Sequence, residues 1–207
     1  MSKISWIQIP KRMVVDKNIN ALEFCMLVRF KYNQFLSGGK YEFEVDFTEF
    51  KRILNISDNR TLKKSLSKLH DAGYLLNEID EIHRRKPTLV KLNKDRFKLN
   101  NNFTQLPARV FGKTREIGHI GLRLLFYYEG YINRKKTMNQ FCFASQATIQ
   151  NDLSITSRTV IEYNKRMEKA KLIRITQHEV KPEYAENGDI NWNRHNNHYE
   201  VRLDELV

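Results

Sequence analysis

Gln8-Ile9-Pro10-Lys11-Arg12-Met13 returns 97 residues later as Gln105-Leu106-Pro107-Ala108-Arg109-Val110. An offset of 98 sets Leu22-Glu23-Phe24-Cys25-Met26-Leu27-Val28 on Ile120-Gly121-Leu122-Arg123-Leu124-Leu125-Phe126. The same offset sets Arg60-Thr61-Leu62 on Arg158-Thr159-Val160, and Ala72-Gly73-Tyr74-Leu75 on Ala170-Lys171-Leu172-Ile173. Four matches in order at nearly constant offset are the signature of an internal repeat. The sequence therefore reads as two copies of one unit, 1–97 and 98–207, meeting in the polar stretch 93–105 with its Asn100-Asn101-Asn102.

Each copy has the same order of elements. In the first, residues 20–35 are dense in apolar side chains without Pro or Gly and read as a helix that Gly38-Gly39 stops. Residues 41–45 alternate aromatic or aliphatic side chains with Glu, a short strand. Asp46, with Glu49 three residues on, caps a short helix to Leu54. Asn55-Ile56-Ser57 turns the chain, and Asp58 or Asn59 caps a longer helix that Gly73 ends. Residues 74–76 begin a strand, 80–87 form a polar, basic loop, and 88–92 form a further strand. In the second copy helices are expected over 117–132, from Ser145 to about 152 and from Thr156 or Ser157 to about 171. Its strands are expected at 138–143, 172–176 and 199–203, with a longer polar wing over 177–198. The expected fold is α+β, mostly helical: two tandem winged helix-turn-helix domains related by internal duplication.

Helical periodicity divides each third helix into two faces. Leu62, Leu66 and Leu69 share a seam, and Arg60, Lys64, Ser67, Lys68 and Asp71 lie opposite. In the second copy Val160, Tyr163, Asn164, Met167 and Ala170 face inward, with Arg158, Glu162, Lys165, Arg166 and Lys169 outward. A helix that enters the major groove needs this pattern: an apolar seam to seat it, and an outer face whose first turns reach base edges while Lys and Arg reach phosphates. The candidate contacts are Asn59, Arg60, Thr61, Lys63, Lys64, Ser67 and Lys68, and Ser157, Arg158, Thr159, Glu162, Lys165, Arg166 and Lys169. Arg60 and Arg158 each begin a helix beside Thr, and Arg is the commonest reader of guanine. His83-Arg84-Arg85-Lys86 at the first wing tip offers a phosphate or minor-groove contact through Arg84, Arg85 and Lys86. The second wing offers Lys181, Asn193 and Arg194, with Asn187-Gly188-Asp189 as a tight turn. It also carries Glu179, Glu183, Glu186 and Asp189, so a protein partner suits it as well as DNA.

The first helices are apolar nearly all round. Phe24, Leu27, Val28 and Phe35 leave the Leu22–Met26 face, and Leu122, Leu125 and Phe126 leave the Ile120–Leu124 face. Such helices are buried on both sides. Either the two copies pack together about a pseudo-twofold, or a homodimer does so.

Composition narrows the class. The chain has 207 residues with 36 Lys+Arg against 24 Asp+Glu, a net charge of +12, and both halves share the excess, which suits a folded nucleic-acid binder. Hydrophobic residues at 41% supply a core and exclude wholesale disorder. The apolar runs are too short for a membrane span, and the opening lacks the pattern of a signal peptide, so a cytoplasmic protein is expected. Cys25 and Cys142 stand alone, which excludes a disulfide framework. There is no GxxxxGK[ST] phosphate loop and no Gly-rich dinucleotide turn. His195-x-x-His198 is the closest His pair and lacks further ligands. No catalytic residue, metal or cofactor is expected, and the chain is expected not to be an enzyme.

With the Arg-Thr-apolar helix starts and the basic wing tip in two successive units, the chain resembles the tandem winged-helix replication initiators of plasmids and phages. Its opening, Trp6-Ile7-Gln8-Ile9-Pro10 before a helix, is also similar to the N-terminal domain of primosomal DnaD-type proteins. The resemblance implies binding to duplex DNA at an origin and recruitment of host replication proteins. One monomer with two such readers would cover roughly 20 base pairs. The alternatives are a transcriptional regulator acting at an operator through the same two domains, and a protein-interaction module.

Overall fold

In Trp6-Ile7-Gln8-Ile9 apolar residues alternate in burial, Ile7 and Ile9 inward and Trp6 and Gln8 outward, which is the period of a strand. The computed structural model describes residues 4–82, 86–135, 140–178, 181–184, 190–193 and 196–206. Strand β1 (Trp6–Pro10) pairs antiparallel with β4 (Phe103–Pro107) from the other half of the chain. Ile7 faces Leu106 and Ile9 faces Thr104, while Gln8 faces Gln105, its own counterpart at the offset of 97. The Gln8 amide donates to Gln105 Oε1 at 3.1 Å. Beyond the strands the Lys11 N–H donates to Asn102 C=O, and its counterpart, the Ala108 N–H, donates to Ser5 C=O. The ladder thus maps onto itself when the halves are exchanged, a local twofold through Gln8 and Gln105.

After β1 come the one-turn α1 (Lys11–Val14) and the long α2 (Ala21–Leu36). Asn20 caps α2 with a complete capping box: its side chain accepts from the Glu23 N–H, and Glu23 reaches back to the Asn20 N–H. β2 (Glu42–Val45), α3 (Phe47–Leu54) and α4 (Asn59–Asp71) follow. β3 (Thr88–Lys91) pairs antiparallel with β2. In the second half, β4 leads through a 3₁₀ helix (Ala108–Lys113) into α6 (Thr114–Tyr131), then α7 (Gln146–Leu153) and α8 (Ser157–Lys169). β5 (Ile173–Thr176) pairs with β8 (His198–Val201). The fold is α+β, dominated by helices, with small two-stranded antiparallel sheets among the described residues.

The two central helices bury every side. Phe24, Cys25, Met26, Leu27, Val28 and Phe30 of α2 are inaccessible, as are Leu122, Leu124, Leu125, Phe126 and Tyr128 of α6. α2 packs on α6, with Phe24 edge-on to Phe126 at 5.6 Å and the Cys25 thiol against His119 C=O. One core therefore runs through both halves. His119 Nε2 meets Leu54 C=O at 2.6 Å, a further bond across the seam.

Several sequence expectations are corrected. Residues 74–76 form no strand: Leu75 makes a single bridge to Leu92. The Asn77 side chain then takes the strand's place, donating to Leu89 C=O and accepting from the Lys91 N–H. In 138–143 only Cys142 pairs, by a bridge to Tyr199, and 136–139 lie outside the described residues. Phe35, expected inward, is exposed, because the last turn of α2 outruns the core, and its ring leans on Tyr32. The join at 93–105 is not a plain linker. Asn93 caps a one-turn helix, α5 (Lys94–Phe97), whose Phe97 is buried. Within 177–198, expected as a longer polar wing, β6 (Lys181–Tyr184) pairs antiparallel with β7 (Ile190–Asn193).

The helix expected from residue 117 starts at Thr114 and is broken at Gly118, with φ 67° and ψ 177°. Only glycine adopts that backbone readily. A Cβ there would also stand 3.1 Å from Cε1 of Tyr163 on α8. Gly118→Ala should cost about 1–3 kcal/mol, lowering Tm by roughly 2–12 °C for a chain of this size. An unchanged melting curve would show that the kink carries no strain constraint.

Candidate nucleic-acid interface

Two pairs of helices joined by short turns, α3–α4 and α7–α8, stand at corresponding places. In the first, the Asp46 side chain accepts from the Thr48 and Glu49 N–H groups to start α3. Asn55 ends it in the left-handed region, at φ 53°, a conformation that Asn tolerates. Asp58 then caps α4 through the Thr61 N–H and hydroxyl. Those bonds hold the Asp58 carboxyl below the ordinary carboxylate range. In the second unit Ser145 caps α7, Ser154 ends it at φ 52°, and Thr156 caps α8. The second turn is one residue shorter, 154–156 against 55–58.

The inward faces seat the second helix of each unit. Leu62, Leu66 and Leu69 are buried against the first half's core, with Ser65 beside them. On α8, Val160, Asn164 and Met167 are buried, and Asn164 Oδ1 accepts from the Tyr128 hydroxyl of α6 at 2.7 Å. Tyr163 is half-buried over the Gly118 kink. Each helix is thus held along one face and presents the other to solvent.

The outward faces sort the predicted contacts. Arg60, Lys63 and Lys64 on α4, and Arg158, Lys165 and Lys169 on α8, are exposed, and their side chains have no hydrogen-bond or ion-pair partner among the described residues. Ser67 is exposed with them. Others are already engaged. Asn59 accepts from Lys51, and Thr61 and Thr159 serve their own caps. Ser157 is half-buried and accepts from Gln146 at 2.8 Å. Lys68 lies 3.7 Å from the buried Glu23 carboxylate. Glu162 pairs with Arg166 at 2.6 Å, and the Arg166 guanidinium lies 4.8 Å from the Tyr163 ring centre. These residues hold the units in shape, and only the first set is poised for an external phosphate or base. Ile161, exposed beside Arg158, is an apolar residue of the same face that the sequence reading left out.

Of the wing candidates, Lys86 is exposed, while Arg84 and Arg85 lie outside the described residues, as does Arg194. Lys181 and Asn193 face one another in the β6–β7 register. The sequence reading also missed a cationic groove at the seam between the halves, where Arg29, Lys51, Arg52, Arg109 and Arg115 converge. Their positions follow no single helical period, so no wheel collects them.

Other chemistry finds little support. Cys25 and Cys142 are both buried, and burial pushes the Cys142 thiol up to about 11, so neither offers a thiolate at neutral pH. Among the described residues no group of three or more His, Cys, Asp or Glu could hold a metal ion. His195 lies outside them, and His198 stacks on Phe141. No described helix is long and apolar enough to cross a membrane. No family model matches the sequence, and no curated protein matches it.

Proposed function

We propose that the chain is a sequence-specific double-stranded DNA-binding protein built of two tandem winged helix-turn-helix domains, 1–97 and 98–207, related by internal duplication. The observation that carries this reading is the pairing of two cationic helix faces, Arg60–Lys63–Lys64 and Arg158–Lys165–Lys169, each unpartnered and each mounted behind a short helix with a left-handed end. The β1–β4 ladder supports the duplication, because its register is unchanged when Gln8 and Gln105 exchange places. The β2–β3 pair, extended by the Leu75–Leu92 bridge, has the place of a wing behind α4, as β5–β8 has behind α8. The protein acts by binding, not by catalysis, and its role is origin recognition in the replication of a plasmid or phage. That role rests on the resemblance stated above.

Arg60→Ala and Arg158→Ala should each cost about 1–3 kcal/mol on a preferred duplex and relax its base preference. Competition binding between a site selected from a random pool and scrambled duplexes measures this directly. Equal preference in both variants and the parent would refute α4 and α8 as readers.

A further inference from the structure

Four elements bring five cations to one groove: Arg29 from α2, Lys51 and Arg52 from α3, Arg109 from the 3₁₀ helix and Arg115 from α6. The groove measures about 1100 Å³, opens to solvent, and has no acidic residue among the described residues of its lining. Gathering like charges without a counter-charge costs stability. Glu49 touches Arg52 at 3.9 Å, but both are exposed and such a pair contributes little. Arg29 lies beside Tyr32 and Phe111, 5.2 and 5.4 Å from their ring centres, and its buried Nε has no partner among the described residues.

The scaffold does not demand this charge. The local twofold gives the groove a counterpart, where the α7–α8 turn, Ser154 and Ile155, faces residues 17–21 of the first half. Its lining is of mixed charge. At the positions that correspond in sequence, Tyr127 stands for Arg29, and Gln150 and Asn151 for Lys51 and Arg52, with Ser154 set on Asn55. Asn151 accepts from Lys17, and Tyr127 donates to Asp152. Arg123 gives its donors to three backbone carbonyls, and Glu23 adds a carboxylate. The second groove pairs its charges internally, whereas Arg109 and Arg115 of the first have no partner among the described residues.

We propose that the cationic groove holds the sugar–phosphate backbone of the duplex whose bases α4 reads. This rests on the reading of α4 given above and extends it to a contact that neither helix face supplies. The groove borders the turn that leads into α4, Asn55 to Ser57, and the Lys51–Asn59 bond ties its lining to the first residue of that helix. A strand leaving the N-terminus of α4 therefore passes Ser57 and Arg52 and meets Arg109 and Arg115 on the other half. Four of the five cations are Arg, whose planar fork suits phosphate oxygens. The groove is open to solvent and its cations come from both halves of the chain, so an extended polyanion fits it better than a single phosphate.

The test compares the full chain with Arg109→Gln/Arg115→Gln and with Lys17→Gln from the opposite groove. Arg109 and Arg115 are exposed and unpartnered among the described residues, so thermal melting should be unchanged. Probes are a selected duplex, a scrambled duplex and a single-stranded dT oligomer of equal length. The double variant should lower the log–log salt slope by about 2 in magnitude, at about 0.9 per phosphate contact. It should weaken both duplexes by the same factor, tenfold or more, with their ratio preserved, and Lys17→Gln should leave all three probes unaffected. Tight duplex binding with an unchanged slope would overturn the groove and leave the reading helices standing. A loss confined to the single strand, or an equal loss in Lys17→Gln, would also overturn it. A parent chain that binds no duplex would overturn both readings.

Discussion

Raising salt from 50 to 200 mM should weaken duplex binding by about 10³–10⁵-fold. The exposed cations set this size. Arg60, Lys63 and Lys64 in one half and Arg158, Lys165 and Lys169 in the other are free to meet DNA. With three to five phosphate contacts per half, log K falls against log salt with a slope of roughly −5 to −9. On the proposed reading both helix faces belong to one chain, so the second domain should bind at high effective concentration once the first is seated. Replacing Arg60, Lys63 and Lys64 together by Ala should therefore reduce the affinity to about that of the remaining half-site, while leaving the fold intact. Isolated halves would be a poor substitute, because β4 supplies β1's partner and α6 covers α2. Footprinting should show roughly 20 protected base pairs per monomer. The half-sites should differ, because Lys64 corresponds to Glu162 and Ser67 to Lys165. Binding that is flat in salt, or a footprint near 10 base pairs, would contradict the tandem reading.

Local chemistry was legible in the sequence wherever the signal lay within a few residues. Asp46 and Ser145 cap their helices as read, Asp58 and Thr156 are the caps where Asn59 and Ser157 stood as alternatives, and Asn20, read as the first helical residue, caps α2. The all-round apolar character of α2 and α6 announced burial on both sides, and they bury one another. Strands β1 and β4 were not assigned, although their residues opened the repeat. Each is five residues long with its partner 97 positions away, so no hairpin signal joins them. The strand at 74–76 failed because Asn77 satisfies the neighbouring strand with its side chain, a substitution invisible to a period-two pattern. The seam groove was hidden for the deepest reason. Its five cations come from four elements, and only the packing of α2 on α6 brings them together.

Arg123→Ala should destabilise the protein by about 3–5 kcal/mol. At offset 98 its place in the first half belongs to Cys25, whose thiol meets His119 C=O. Arg123 instead reaches from α6 into the loop between α1 and α2. Nε donates to Val14 C=O at 2.7 Å, Nη1 to Ile19 C=O at 2.8 Å and Nη2 to Asp16 C=O at 2.8 Å. The side chain is 5% exposed, and burial lowers its pKa. Three carbonyls and the Phe24 ring face, 5.7 Å away, are its compensation for leaving water. Truncation strands all three acceptors and opens a void beside Phe24. Arg123→Met fills the void but restores no donor, and Arg123→Lys keeps the charge without the fork, so both should fall between parent and Ala. For a chain of this size the Ala variant should melt roughly 6–20 °C lower. Because the residue bridges the halves, the loss should appear in one cooperative transition, with the urea midpoint shifted and the slope unchanged. Two separate transitions, or a shift under 2 °C, would show that the halves are stable alone and that the latch is ornamental.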